Sequence, residues 1–202
     1  MNKQATGKKA EKGLQINRLG YNILGVLMRE PMSGYEIVSA LEKFRPVNIS
    51  QVYPLLASME EKGLLTTETI AQTGKPDKKI CHLTPLASET LEAWISGPTE
   101  EPVVRDDFLS KVYSFWLTGA AEKRALINER IEWLDSEIAF FSNALEALQT
   151  HYPEELDDPG KWQFSRDILF RRRLALYRED KLWCLRVLSR VTDTDDKNEA
   201  DT

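Results

Sequence analysis

Between Val47 and Pro54 the chain reads VNISQVYP, and four of these side chains, Asn48, Ser50, Gln51 and Tyr53, carry short hydrogen-bonding groups. A helix built only for packing needs none of them at its start. An amide both donates and accepts, and hydroxyls do either, so such a cluster suits base edges and phosphate oxygens. Ser33 and Tyr35 in SGYE are of the same kind, and Lys75, Lys78 and Lys79 in GKPDKK offer compact cations that suit phosphate. Ser33 and Asn48 are also good helix caps, a role compatible with phosphate contact at a helix N-terminus. For the lysines the plain alternative is a solvated turn.

Other chemistries find less material. The two histidines, His82 and His151, and the two cysteines, Cys81 and Cys184, lie in separate segments without metal-ligand spacing. No Ser/His/Asp or Cys/His set and no glycine-rich phosphate loop can be assembled, so neither an enzyme nor a bound cofactor or metal is expected. A carboxylate pair is the one catalytic set the sequence leaves open. The acidic run Glu154, Glu155, Asp157 and Asp158 reads as a solvated turn rather than a calcium loop.

With 202 residues, 42% hydrophobic and 29% charged, the chain can bury one large core or two small ones. A net charge of -5 argues against nucleic acid until its distribution is seen. Residues 1–97 hold 12 Lys/Arg against 10 Asp/Glu, and residues 98–202 hold 15 against 22, so the acidity belongs to the second half. Between the halves, ISGPTEEPVV combines Gly97, Pro98 and Pro102, which end helices. The expected layout is a polar, unstructured basic tail at 1–14, a domain at 15–97, a helical domain at 103–192 and an unstructured acidic tail at 193–202. No apolar run approaches the roughly 20 residues that span a bilayer, and MNKQATGKKAEKG lacks an apolar signal core; a soluble, cytoplasmic protein with no membrane contact is expected.

In the first domain, Leu19, Ile23, Val26 and Leu27 share a helical face that Pro31 closes off. Ser33 and Glu36 form a capping box for a second helix, and a third starts near Asn48 or Ser50 and ends at Gly63. LLTTETI and KKICHLT, joined by AQTGKPD, read as a hairpin, and Thr84 with Pro85 opens a fourth helix. Three helices, a β-hairpin wing and a linking helix are the order of a winged helix-turn-helix. In such a fold the start of the third helix enters the major groove, which gives Asn48, Ser50, Gln51 and Tyr53 their purpose.

LGVL, SGYEIVSALE, ISQVYPLLASMEEKGLL and GKPDKKICHLTPLA, in that order, resemble the winged helix-turn-helix of PadR-type bacterial transcription regulators, over roughly Leu19 to Ile95. The resemblance implies DNA contact by the tyrosine before the proline, here Tyr53, and by basic residues of the wing, here Lys78 and Lys79. Cys81 stands where the family often has an aromatic residue. RDDFLSKVYSFWL and the long helices after it resemble the helical dimerisation region that accompanies this domain in one branch of the family.

The second half supports that likeness with its own periodicity. Ile127, Ile131, Leu134, Ile138, Phe141, Leu145 and Leu148 alternate spacings of four and three, the mark of a coiled-coil seam. Leu126, Trp133 and Phe140 form a second stripe on the same helix; Trp162, Leu169, Leu176 and Trp183 recur at seven on the last. Two stripes ask for two partners, the chain's own antiparallel helix across HYPEELDDPG and a second subunit. A mainly α protein is therefore expected, with an N-terminal winged helix-turn-helix and a C-terminal antiparallel long-helix dimerisation domain. The tryptophans at 116, 133, 162 and 183 could fill the core or line a pocket for a flat aromatic effector. The function expected is that of a homodimeric regulator, more a repressor than an activator, on an inverted repeat in double-stranded operator DNA. The other reading is an interaction module that works through its coiled coil and binds DNA weakly.

Overall fold

A computed structural model of the chain describes residues 15–42, 47–72, 74, 77–103 and 105–200, with side chains as far as Val191. The chain divides into two units, Met1–Glu101 and Pro102–Thr202. The basic tail at 1–14 and Lys75 lie outside the described residues.

The first unit runs α1 (Arg18–Leu27), β1 (Met32–Ser33), α2 (Gly34–Glu42), α3 (Ile49–Glu61), β2 (Leu65–Ile70), β3 (Lys78–Leu83) and α4 (Pro85–Ile95). Local chemistry sets most of these limits. The Asn17 side chain accepts from the Gly20 N–H at 2.8 Å, and Thr84 Oγ1 accepts from that of Ala87 at 3.3 Å with Pro85 at the first helical position. Gly63, at φ 70°, ends α3 in the left-handed region, and the Leu64 N–H then reaches back to the Met59 carbonyl at 2.9 Å. The Thr84 hydroxyl donates to the Gly63 carbonyl at 2.7 Å, which joins the end of α3 to the start of α4.

The antiparallel sheet has the order β1-β3-β2. Its hairpin pairs Leu65 with Leu83 and Ile70 with Lys78. The third strand, β1, was not expected: two residues are too few to show alternation, and its pairing of Met32 with Cys81 and Ser33 with Ile80 is a long-range contact. The core lies among α1, α2 and α3, where Ile23, Leu24, Ile37, Leu41, Val52 and Met59 are fully buried. Cys81 is buried in the same core. Tyr21 and Trp94 stack at 4.5 Å and 8°, fixing α4 on α1.

In the second unit a short helix, α5 (Asp107–Tyr113), and a single 3-10 turn (Phe115–Leu117) precede two long helices, α6 (Ala120–His151) and α7 (Trp162–Ala200). Trp133 meets Tyr177 and Phe141 meets Phe170, both edge to face, so rising numbers on α6 against falling numbers on α7 make the pair antiparallel, and Asp135 pairs with Lys181 across it. Arg130 ties α5 to α6: its guanidinium bonds Asp106, the N-cap of α5, at 2.8 Å and lies over the rings of Phe108 and Trp133.

Two sequence expectations change here. Helix α7 continues to Ala200, past the limit at 192 and through most of the tail expected to be unstructured. No glycine or proline follows Gly160, so nothing local breaks the helix. The seam is also divided. Ile127, Leu134, Phe141 and Leu148 are buried within the single chain, and Ile131 packs against the same core. A heptad stripe covered by the chain's own antiparallel helix is not available to a second subunit. Ile138 and Leu145 are half-buried on α6, as are Trp162 and Trp183 on α7, whereas Leu169 and Leu176 stand 58% and 46% exposed.

Candidate nucleic-acid interface

The start of α3 projects from the first unit. Asn48, Ser50, Gln51 and Tyr53 are exposed there, while Val52 and Leu56 hold the opposite face in the core. Two grooves flank this end of the helix. One, between α2 and α3, is lined by Tyr35, Ser39, Asn48, Ile49 and Gln51. The other, between α3 and the hairpin, is lined by Tyr35, Glu36, Tyr53, Gln72, Lys78 and Lys79. Tyr35, 71% exposed, borders both.

Within this surface some groups are already engaged. Asn48 Oδ1 accepts from the Ser50 N–H at 3.0 Å and from the Ser50 hydroxyl at 2.8 Å. Ser50 therefore offers an incoming ligand its lone pairs, and Asn48 its amide hydrogens. Gln51, pointing to solvent, can present donor and acceptor together.

Ser33 is placed differently from the sequence expectation of a DNA contact. It is buried, and its hydroxyl donates to Glu36 Oε2 at 2.7 Å while its N–H donates to the same oxygen at 2.8 Å. The Glu36 N–H returns a long bond to Ser33 Oγ at 3.4 Å, completing the capping box. The hydroxyl is spent on the start of α2, so Ser33 supports the surface from beneath.

Glu36 does more than cap. Its other oxygen accepts from Lys78 Nζ at 2.9 Å, so one carboxylate links the start of α2 to the first residue of β3. Lys78 is thus held by an ion pair, and of the two described hairpin lysines it is Lys79, exposed beside it, that faces solvent. The sequence shows Glu36 as half of a capping box; its bond to a residue 42 positions away has no local signal.

The Ser33 N–H first, then the Ser33 hydroxyl and Lys78, lower the Glu36 carboxyl from 4.5 to about 2. A depressed carboxylate stabilises the fold above its unfolded pKa, and that contribution fades as pH falls from about 4.5 through about 2. Glu36→Gln is accordingly expected to melt below the unsubstituted protein at pH 7, with the gap closing by pH 2. Because the carboxylate is half exposed, the effect is modest. Thermal denaturation at pH 7, 4 and 2 measures it; a gap that does not narrow with acid removes Glu36 from this role.

Two other roles find no support in the described residues. No group of three His, Cys, Asp or Glu side chains among them is arranged to hold a metal ion. No described helix is long and apolar enough to cross a membrane. His82 sits 3.3 Å from Glu68 across the hairpin, and His151 Nδ1 lies against the Ala147 carbonyl one turn back on α6.

Known proteins share this fold. Residues 23–93 match the family model described as "Transcriptional regulator PadR-like family". The chain is 29% identical over 135 residues to the negative transcriptional regulator PadR of Bacillus subtilis (strain 168), covering 64% of this chain and 74% of that protein. The structure of Bacillus subtilis PadR in complex with operator DNA has the same fold: TM-score 0.76 at 24% identity, over 87% of this chain and 98% of that one. The same protein in complex with p-coumaric acid superposes with a TM-score of 0.70 at 23% identity, over 86% and 98%. These relatives are transcriptional regulators, not enzymes. Over residues 23–93, the winged helix-turn-helix, the chain is thus similar to the PadR-like family of transcriptional regulators, and the helical unit that follows shares the fold of the same solved structures.

Proposed function

We propose that this chain is a sequence-specific DNA-binding repressor that acts as a homodimer on an inverted repeat. The observation that carries the reading is the projecting start of α3, where Asn48, Ser50, Gln51 and Tyr53 stand exposed together, with Tyr35 on one side and Lys79 on the other. Such side chains at a helix N-terminus suit base edges and phosphates, and a hairpin cation suits the backbone beside them. The relative crystallised on operator DNA supports the same use of the fold.

Pairing gives two such helices a fixed separation, which is how a two-fold protein reads a two-fold site. Leu169 and Leu176, one heptad apart on α7, are the apolar positions from the expected dimer set that the single chain leaves most exposed. Footprinting on the DNA upstream of the chain's own gene tests the reading. A protected inverted repeat supports it; no protection beyond that on random sequence leaves the interaction module instead.

Release by a small aromatic effector is part of the proposal, supported by the p-coumaric acid complex of the relative. Trp133 and Trp183 are not its pocket in this reading, since Trp133 packs on Tyr177 and Trp183 on Phe108. A hydroxycinnamate is expected to quench tryptophan fluorescence saturably and to lower DNA affinity over the same concentrations. Quenching with unchanged DNA affinity removes the effector from the mechanism.

A further inference from the structure

Gly34 opens α2 with no backbone reason to be glycine. Its φ is not positive, unlike those of Gly63 and Gly74, and it is buried in a helix, where alanine is the more stable residue. What a side chain there would meet is Tyr53. A Cβ built on Gly34 falls 2.8 Å from Tyr53 Cζ, 2.9 Å from Cε1 and 3.0 Å from the phenol oxygen. The ring therefore lies on bare backbone at the start of α2, while the residue as a whole stays 51% exposed in the groove between α3 and the hairpin.

We propose that Gly34 is a positioning residue for DNA binding: by lacking a Cβ it lets the Tyr53 ring lie against the start of α2 and holds the phenol hydroxyl at the groove edge. This rests on the DNA-binding function proposed above and deepens it. The three atoms nearest to that Cβ all belong to the far end of one side chain. Rotation about χ1 of Tyr53 relieves the clash without moving α2 or α3. A methyl group at position 34 thus acts on one hydroxyl and spares the fold.

The experiment is a double-substitution cycle with Gly34→Ala, Tyr53→Ala and the two combined, read by fluorescence anisotropy on the footprinted duplex and by thermal denaturation. Gly34→Ala is expected to weaken binding about as much as Tyr53→Ala, on the order of tenfold, the loss of one well-placed contact. With Tyr53→Ala already present, adding Gly34→Ala is expected to change affinity by less than about twofold and to raise the melting temperature, because the helix gains alanine and meets no ring. Equal losses of affinity from Gly34→Ala in both backgrounds, or no loss in the presence of Tyr53, overturn the role of Gly34 while leaving DNA binding in place. No binding by the unsubstituted protein overturns the function, and the DNA role of Gly34 with it. The melting temperatures then read the packing of Tyr53 on Gly34 by themselves.

Discussion

Leu169→Asp combined with Leu176→Asp is expected to halve the sedimenting mass and to leave the helices folded. Both leucines are about half exposed in the single chain, so in a folded monomer their replacements face water at little cost. In a two-fold seam the same substitutions place four carboxylates in apolar surroundings, each costing several kcal/mol. That exceeds what a dimer of ordinary affinity retains. Loss of pairing also removes the linkage between two DNA-reading helices, and specific affinity should fall by about 10²-fold or more even though no DNA contact is touched. Sedimentation velocity with circular dichroism and anisotropy measures all three. An intact dimer with native helicity would place the subunit interface elsewhere on the molecule.

The contrast with Leu134 explains why the sequence could not make this choice. Leu134 and Leu176 both sit on stripes that repeat every seven residues, yet Leu134 is fully buried by the chain's own α7 and Leu176 is not. Periodicity gives the face of a helix; it does not say which neighbour covers it. Asp at 134 would unfold the unit, and an apparent loss of dimer would then say nothing about pairing.

What was legible elsewhere was local. Ser33, Asn48 and Thr84 each bond a backbone N–H two or three residues on, and that chemistry is written in adjacent letters. Heptads and hairpin turns are similarly short-ranged, so the order of elements followed from them. The candidate interface holds contacts that no spacing rule connects, because they are long-range: Glu36 reaches Lys78, and Tyr53 sits on Gly34. For Gly34 a faint signal existed, a glycine between a cap and its capping-box partner where no turn required one. Ser33 was overread, since a hydroxyl that can contact phosphate can equally be consumed by its own helix.

Gln51→Ala and Lys79→Ala are expected to fail in different ways. Gln51 is exposed at the first turn of α3, and its amide can donate to and accept from one adenine edge at once, a pairing worth about 1–3 kcal/mol of discrimination. Its loss should weaken operator binding by that amount, relax the preference at one base pair per half-site, and leave binding to random DNA nearly unchanged. Of the two described hairpin lysines, Lys79 is the one left to solvent once Glu36 has taken Lys78. A lysine on phosphate reads no base, so Lys79→Ala should weaken operator and random duplex alike and flatten the slope of log K against log salt by about one unit per half-site. Glu36→Gln supplies an internal check, because it frees Lys78 and should steepen that slope where Lys79→Ala flattens it. Anisotropy titrations from about 50 to 200 mM salt on both duplexes separate these outcomes. If Gln51→Ala and Lys79→Ala lower operator and random binding equally, α3 docks on the backbone without reading sequence, and the amide at its tip has no part in specificity.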